Sequence, residues 1–351
     1  MANNITKIVN TIIPEVFTRS MERKITKKNA LISSGIITTN PALNSLISGG
    51  GVRVTIPRFN VIGGEAKPLS ETRKIERQGL SQNKDVATVL IRGNSFAIGD
   101  LASAFSGEDF QNEANSQLAD WWLTQDQATF LATLNGVFES QDMTDLILDA
   151  RSQNISANLI LDGKQRLGDM ATKLSVMFIN SYTFTELQKQ DLIQYIKPST
   201  GGQEIMMYQG YRVLVDDDIY FNTENGESDT YLLSTGAFGG GSGTPTALTM
   251  LETERDARGG VTDIVSRRAQ IIHPSGFEFV GNIANVEDAT PSNTDLASGL
   301  NWKRTAKRKS VGLVKIKHKV DLPEWYKPET QTQRSKPKEN NQNKPDSPIL
   351  G

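Results

Sequence analysis

Hydrophobic residues near the start of the chain recur at three- and four-residue spacing, which predicts a helix with one apolar face and a kink or restart at Pro14. No compact hydrophobic pattern follows this stretch before the break at Gly49, Gly50 and Gly51. Residues 1–51 are therefore predicted to form an N-terminal arm whose apolar stripe needs a partner. The stripe consists of Ile5, Ile8, Val9, Ile12, Val16 and Phe17.

Two alternating runs follow the glycines. In the first, at residues 52–56, apolar and polar positions alternate as in a strand with one buried face, and a second run covers residues 86–91. The polar, glycine-containing stretch between them has too few apolar residues for a core of its own. We therefore predict an extended hairpin over residues 52–100 that projects from the body, with a disordered surface loop as the alternative.

The strongest helical pattern runs from Glu108 to Phe138, after Ser106 and Asp109, which have the spacing of a capping pair. A continuous helix from residue 108 to 134 would be about 40 Å long. Its predicted anchors are Leu118, Trp121 and Trp122, because two neighbouring indoles bury a large area; a ligand-stacking role for them is the alternative.

The rest of the chain mixes short helices and strands, so the predicted fold class is α+β. Residues 101–145 are predicted to form the long helix and part of a first domain. Residues 146–300 are predicted to form a second domain. Residues 301–322 are predicted to form a closing strand that belongs to the first domain. The polar segment 323–351 is predicted to be disordered. The glycine-rich residues 236–243 are predicted to be a flexible connection. Helices are predicted at 159–174 and 185–192, and strands at 176–180, 210–218, 230–234, 247–251, 270–272, 277–280 and 310–320.

Composition narrows the function classes. The 351 residues are 37% hydrophobic and 22% charged with a net charge of -2, as expected of a folded chain and not of a strongly basic nucleic-acid binder. With 0 cysteines, disulfides, thiolate metal sites and thiol catalysis are excluded. The opening residues lack a signal-peptide pattern, and no run of about 18 apolar residues predicts a membrane helix.

Candidate chemistry is sparse. The run at residues 239–243 lacks the Gly-Lys-Ser/Thr ending of a phosphate-binding loop. Three adjacent carboxylates, Asp216 to Asp218, are predicted to form a solvated turn, because neighbours along a strand point to opposite sides. His273 precedes Pro274 and is predicted to lie in a turn, and His318 is far from it in sequence. We expect no catalytic residue, no cofactor and no metal.

Several short motifs occur in an order that resembles tailed-bacteriophage major capsid proteins of the Hong Kong ninety-seven-like fold. The resemblance covers residues 1–320 and includes the order of arm, hairpin, long helix, mixed region and closing strand. The motifs are Gly35-Ile36-Ile37, Pro57-Arg58-Phe59, Ile62-Gly63-Gly64-Glu65, Asn94-Ser95-Phe96, Asp100-Leu101-Ala102, residues 177–187 and 210–217, His273-Pro274-Ser275-Gly276-Phe277, residues 291–297 and Asn301-Trp302.

The resemblance implies a non-enzymatic coat protein with an arm, an extended loop, a spine helix, a peripheral domain and an axial domain. Its copies would form hexamers and pentamers of an icosahedral shell around double-stranded DNA. The shell would be assembled in the host cytoplasm, away from membranes. Scaffolding, portal and decoration proteins are further expected partners. Some members crosslink covalently through lysine and asparagine, but no such residues are identified in this sequence.

Two charged sets are predicted to make contacts between subunits. Loop charges would set the register against a neighbouring copy. A basic cluster in the arm is either a solvated helix face or a contact with the genome or a scaffolding partner. The loop set is Lys67, Glu71, Arg73, Lys74, Glu76 and Arg77, and the arm set is Arg19, Arg23, Lys24, Lys27 and Lys28.

Other function classes remain open from the sequence. A tail-tube or decoration protein would share the polar, cysteine-free composition, although it would not require an arm followed by so long a helix. A metal-dependent hydrolase would have to use Asp216 to Asp218. A DNA-binding protein is suggested by the arm set and by Lys303, Arg304, Lys307, Arg308 and Lys309, although the balanced overall charge opposes it.

Overall fold

The structure is a computed structural model. It describes residues 5–6, 34–59, 62, 65–66, 68, 77, 79, 82–106, 110–191, 193–197, 204–281, 283 and 288–322. The rest of the apolar stripe after Thr6, the arm set of basic residues, and residues 323–351 lie outside these ranges.

Most described residues belong to regular elements. The strands are β1 (Ile5–Thr6), β2 (Ile37–Thr39), β3 (Arg53–Phe59), β4 (Gln82–Thr88), β5 (Leu90–Gly99), β6 (Ile147–Asn154), β7 (Leu174–Ile179), β8 (Ile193–Ile196), β9 (Ile205–Tyr208), β10 (Tyr211–Val215), β11 (Glu227–Ser234), β12 (Phe238–Gly243), β13 (Leu251–Asp256), β14 (Val261–Pro274), β15 (Phe277–Phe279), β16 (Trp302–Arg304) and β17 (Leu313–Lys319). The α-helices are α1 (Pro41–Ser48), α2 (Asp100–Ser106), α3 (Phe110–Glu139), α4 (Ala157–Gln165), α5 (Ser181–Lys189) and α6 (Asn293–Ala297). Short 3-10 helices lie at Gln141–Leu146, Gly168–Lys173, Gly299–Asn301 and Arg308–Ser310.

Two sheets and one long helix organise the molecule. The first sheet has the order β1-β5-β14-β12-β2, with β13 paired to the first half of β14. The second has the order β6-β17-β11-β7-β10-β9-β8. Phe130 of α3 packs edge-on against Phe178 of β7 at 6.1 Å and Phe238 of β12 at 4.8 Å between ring centres. This helix therefore joins both sheets in one hydrophobic core.

The predicted long helix is confirmed as α3, which has 30 residues and is about 45 Å long at 1.5 Å per residue. Ser106 ends the preceding helix α2, and Asp109 lies outside the described residues. The strands predicted in residues 176–180, 210–218, 230–234, 277–280 and 310–320 are also confirmed, with bounds that differ by a few residues. The prediction for residues 270–272 captured only part of β14, which has 14 residues.

The prediction of a flexible glycine-rich connection at residues 236–243 is wrong. Residues 238–243 form β12, which pairs with both β14 and β2. A Cβ on Gly241 would lie 2.8 Å from the Cβ of Leu43, and one on Gly243 would lie 2.9 Å from the Cβ of Ile47. The glycines are needed because helix α1 rests directly on this strand.

The prediction that no hydrophobic pattern precedes Gly49 is also wrong. Ile36, Leu43 and Ile47 are buried, and the last two join Val54, Ala87, Ala269 and Ile271 in a second apolar cluster. Among the described side chains of helix α1, Leu43 and Ile47 are the buried ones, too few to show periodicity. Ile5, predicted to be helical, instead lies in β1 and pairs in parallel with Ala97 of the same chain. The wider division into domains stays a prediction.

Other boundaries also differ from the predictions. The helix predicted at residues 159–174 ends at Gln165; Gly168 has a φ of 66°, and Leu174 already begins β7. The helix predicted at 185–192 begins at Ser181, after Asn180 caps its first turn. The run at residues 86–91 is divided between β4 and β5 at Val89, and residues 247–250 precede a strand that begins at Leu251.

Candidate functional site: the extended hairpin and its base

The extended hairpin is formed by β3 and β4, which pair antiparallel from Arg53 opposite Thr88 to Phe59 opposite Gln82. One face carries Val54 and Ala87, which pack into the apolar cluster with α1 and β14. These contacts anchor the base of the hairpin on the body because each strand contributes a buried apolar residue.

Of the six charged loop residues predicted to contact a neighbour, Arg77 belongs to the described residues. Arg77 is exposed, and Ile62, close after strand β3 in the same loop, is 76% exposed. Lys67, Glu71, Arg73, Lys74 and Glu76 lie outside the described residues. The proposed role of this set in subunit register therefore stays a prediction.

Polar contacts also hold the hairpin base. Asp85 of β4 is 3% exposed, and its carboxylate accepts hydrogen bonds from Thr305 Oγ1 at 2.6 Å and Gly276 N at 3.3 Å. The Arg53 guanidinium of β3 donates to Gly281 O at 2.9 Å. The pattern of apolar residues could not predict the burial of Asp85, because a charged residue in a strand is normally expected to face solvent.

An open groove of about 670 Å³ lies beside this base. Pro57 and Lys84 line its hairpin side, while Glu278 and Lys303 line the opposite side. Glu278 and Lys303 stand directly opposite each other in β15 and β16, so their charges compensate across the strands.

Of the three predicted helix anchors, Trp122 is buried while Leu118 and Trp121 are half-buried. The Trp122 ring lies 5.1 Å from the Arg268 guanidinium carbon, a cation–π geometry. Trp121 meets the ring of Phe96 edge-on at 5.6 Å. These contacts hold the first half of α3 against the first sheet.

In the acidic turn after β10, Asp217 and Asp218 are exposed as predicted, whereas Asp216 is not. Asp216 is 8% exposed and accepts a hydrogen bond from the Gln127 side chain of α3, so its expected solvation is wrong. Asp217 accepts from Ser181 N at 3.1 Å and thereby supports the start of α5. Among the residues that the structure describes, no three His, Asp or Glu side chains come together as a metal site requires.

His273 lies in β14, not in a turn, and its Nε2 is 3.0 Å from Phe277 O. The turn follows at Ser275 and Gly276, and Gly276 has a φ of 88°. Pro274 can end the strand because it has no backbone N–H to donate. The imidazole therefore bridges the two strands that flank this turn.

The second sheet contains buried charge that sequence reasoning missed. Lys315 of β17 and Asp229 of β11 form an ion pair at 2.6 Å, and the Lys315 ammonium lies 5.2 Å from the ring centre of Tyr231. The Tyr231 hydroxyl donates to Asn135 Oδ1 of α3 at 2.8 Å. Burial, followed by the charge of Asp229, raises the pKa of Tyr231 well above its usual value.

His318, in the same strand as Lys315, is fully buried, and its Nε2 lies 2.8 Å from Thr230 Oγ1. Burial lowers its pKa to about 4, against a smaller opposing effect of a hydrogen bond to Lys319 O. The imidazole is therefore neutral near pH 7 and acts as a satisfied core residue.

The basic run at residues 303–309 is partly neutralised. Arg304 donates to both carboxylate oxygens of Asp145 at 2.8 and 3.2 Å, and Lys309 pairs with Asp169 at 2.8 Å. Local acids thus engage two of the five cations in this run. In the described residues, no helix is both long and apolar enough to cross a membrane.

Comparison with known proteins decides the family. No family model matches the chain. Over 323 residues, however, it is 33% identical to the major capsid protein of Bacillus phage SPP1, across 90% of this chain and 98% of that relative. The chain belongs to the family of tailed-phage major capsid proteins.

Solved capsid structures show the same fold at low sequence identity. The capsid of Ralstonia phage GP4 matches with a TM-score of 0.62 and 12% identity, over 92% of this chain and 99% of that one. The Cyanophage Pam1 capsid matches with a TM-score of 0.56 and 12% identity, over 91% and 99%. The resemblance found in the motifs and the α+β capsid fold class of this capsid protein are thus confirmed.

Proposed function

We propose that copies of this chain assemble, as hexamers and pentamers, into the icosahedral head shell that encloses phage double-stranded DNA. The observation that carries the proposal is the 33% identity to a phage major capsid protein over 98% of its length. The protein acts as a structural subunit in the virion, and assembly takes place in the host cytoplasm.

Assembly follows from contacts between unlike surfaces of neighbouring copies, which close into rings when the rotation between copies is repeated. The hairpin supports this role, because it is fixed at its base while its exposed part leaves the core. Many weak contacts of this kind add up to a stable shell although none is strong alone.

The extended loop lies over a neighbouring subunit, where its alternating charges set the register. Exposed Arg77 belongs to this set, together with Lys67, Glu71, Arg73, Lys74 and Glu76. Charges can set the register because a misplaced neighbour would bring like charges together.

The basic cluster of the arm faces the packaged DNA or a scaffolding partner. Its residues are Arg19, Arg23, Lys24, Lys27 and Lys28. Reversal of the last three charges should weaken assembly or packaging most at low salt, because the new repulsion from an acidic partner is screened as the salt concentration rises. Salt-insensitive assembly of this variant would count against the contact. Portal and decoration proteins complete the expected partners.

The hairpin register provides a sharp test of the loop. Phe59 pairs with Gln82, so replacing residues 60–81 with Asn-Gly closes the two strands by a two-residue turn. We expect a folded subunit that forms no closed shells in electron microscopy, with or without a scaffolding partner. A Gly/Ser segment of the original length is the control for chain length, and it should also fail because it lacks the charges.

Two outcomes of this experiment distinguish the role of the loop from the shell-building function of the chain. Regular shells from the Asn-Gly variant at the wild-type yield would refute the role of the loop. Tubes or dispersed monomers from the unaltered chain under the same conditions would refute the shell-building function itself.

A further inference from the structure

Two polar contacts join the base of the hairpin to the two ends of β15. On β4, Asp85 accepts a hydrogen bond from Gly276 N, directly before β15. On β3, Arg53 donates to Gly281 O, two residues after β15. Each strand of the hairpin is therefore tied to the body at its own point.

The contact at Asp85 is a junction of three segments. Its second carboxylate oxygen accepts from Thr305 Oγ1 at 2.6 Å. Thr305 N and Ala306 N in turn donate to Gly276 O at 2.9 and 3.1 Å. Since a buried carboxylate is costly unless its oxygens are paired, this junction fixes the position of β4.

The two contacts are separated along the hairpin as well as across it. Arg53 pairs with Thr88, which lies three residues from Asp85 on β4, or about 10 Å at 3.3 Å per residue. Neighbouring strands are about 4.8 Å apart. The apolar packing of Val54 and Ala87 holds the base in place, and two directed contacts that are separated in both directions add fixed points for its tilt and its rotation.

A small change in the tilt of the hairpin at its base causes a larger displacement at its far end. The seven residues of β3 span about 23 Å, so a tilt of roughly 10° at the base would move the far end by about 4 Å. Side chains that should touch a neighbour are out of contact after such a displacement, because contact requires heavy atoms within about 4.5 Å.

We propose that Arg53, Asp85 and Thr305 are positioning residues that set the direction in which the extended hairpin leaves the subunit. Through that direction they set the angle between neighbouring copies in the shell. The inference rests on the proposed function, and it assigns the control of shell geometry to a small set of contacts inside one subunit.

The test uses full-length chains with Thr305→Val, Arg53→Met and both changes together. Each removes a hydrogen-bond donor and keeps most of the side-chain volume. Thr55→Val is the matched control, because Thr55 is an exposed threonine on the same hairpin. Melting temperature reports the fold of the unassembled subunit, and electron microscopy reports shell yield and diameter.

We expect each unassembled single variant to melt within about 5 °C of wild type, since it loses one hydrogen bond, and the two shifts should add in the double variant. The double variant should give about tenfold fewer regular shells, as a loss of about 1.4 kcal/mol in assembly free energy would produce, or shells of altered diameter. A role limited to folding would not change the diameter of shells formed by well-folded subunits. Thr55→Val should assemble as wild type does.

Wild-type yield and diameter from the double variant would overturn the inference. Unfolded single variants would overturn it too, because the contacts would then serve the fold, as would equal defects in Thr55→Val. If the unaltered chain forms no shells, the proposed function fails and the inference fails with it, an outcome that the wild-type sample alone reveals.

Discussion

The indole nitrogen of Trp122 donates a hydrogen bond to Ser266 Oγ at 2.9 Å, and both residues are buried between α3 and β14. The neighbouring Trp121 is only half-buried, although the two indoles are adjacent in sequence and their rings lie 4.8 Å apart. The two tryptophans thus offer a matched pair in which burial is the main difference.

Trp122→Ala should lower the free energy of unfolding by about 3–5 kcal/mol, because it leaves a cavity and an unpaired serine. Trp121→Ala should cost less than half as much. Urea unfolding of the unassembled subunit measures both. Equal losses would contradict the assignment of Trp122 as the principal anchor of the long helix.

Acidification should destabilise the subunit through His318. Its folded pKa of about 4 lies below the usual 6.5, so the unfolded chain binds the proton more tightly. The stability from the neutral imidazole is full above pH 6.5 and is lost as the pH falls towards 4, by up to about 3 kcal/mol.

Denaturant unfolding at pH 7 and pH 5 measures this loss. His318→Asn should reduce the difference between the two pH values. Thr230→Val, which keeps the imidazole, should retain most of it. An unchanged pH dependence in His318→Asn would exclude this histidine as the source.

Removal of one partner of the buried pair Lys315–Asp229 should be costly. Lys315→Met leaves a buried carboxylate without its cation and should cost about 3–5 kcal/mol of unfolding free energy. The exposed pair Arg151–Asp149 is the control, and Arg151→Met should cost less than about 1 kcal/mol. Similar values for both variants would show that burial does not determine the strength of the first pair.

The close packing of helix α1 on strand β12 predicts that an added side chain at Gly243 is destabilising. Gly243→Ala places a Cβ 2.9 Å from two carbons of Ile47 and should cost about 1–3 kcal/mol through overpacking. Gly79→Ala meets no atom within 4 Å and should change stability by less than about 0.5 kcal/mol. Thermal unfolding compares them, and a neutral Gly243→Ala would argue against the close contact between α1 and β12.

Long regular patterns made the long helix and the paired strands of the hairpin predictable. Local patterns failed where distant residues determine the structure. The glycines of β12 read as a flexible link, because the helix that requires them, α1, lies nearly two hundred residues earlier in the chain. The burial of Asp85 and Lys315 could not be predicted, because their partners Thr305 and Asp229 are distant in sequence and meet them only after folding.

The family was recognised from the order of motifs such as His273 to Phe277, whose local structure was nevertheless misjudged. A single proline suggested a turn at His273, whereas hydrogen bonding with β12 extends β14 through Pro274. The order of the motifs therefore identified the family, whereas the conformational preference of one proline did not predict the local structure.

Phe130 touches an aromatic ring in each sheet from a single turn of α3. A force on either sheet is therefore transmitted through helix α3 to the other sheet. The two sheets should therefore move together, and not separately, when a neighbouring copy in the shell pulls on either of them.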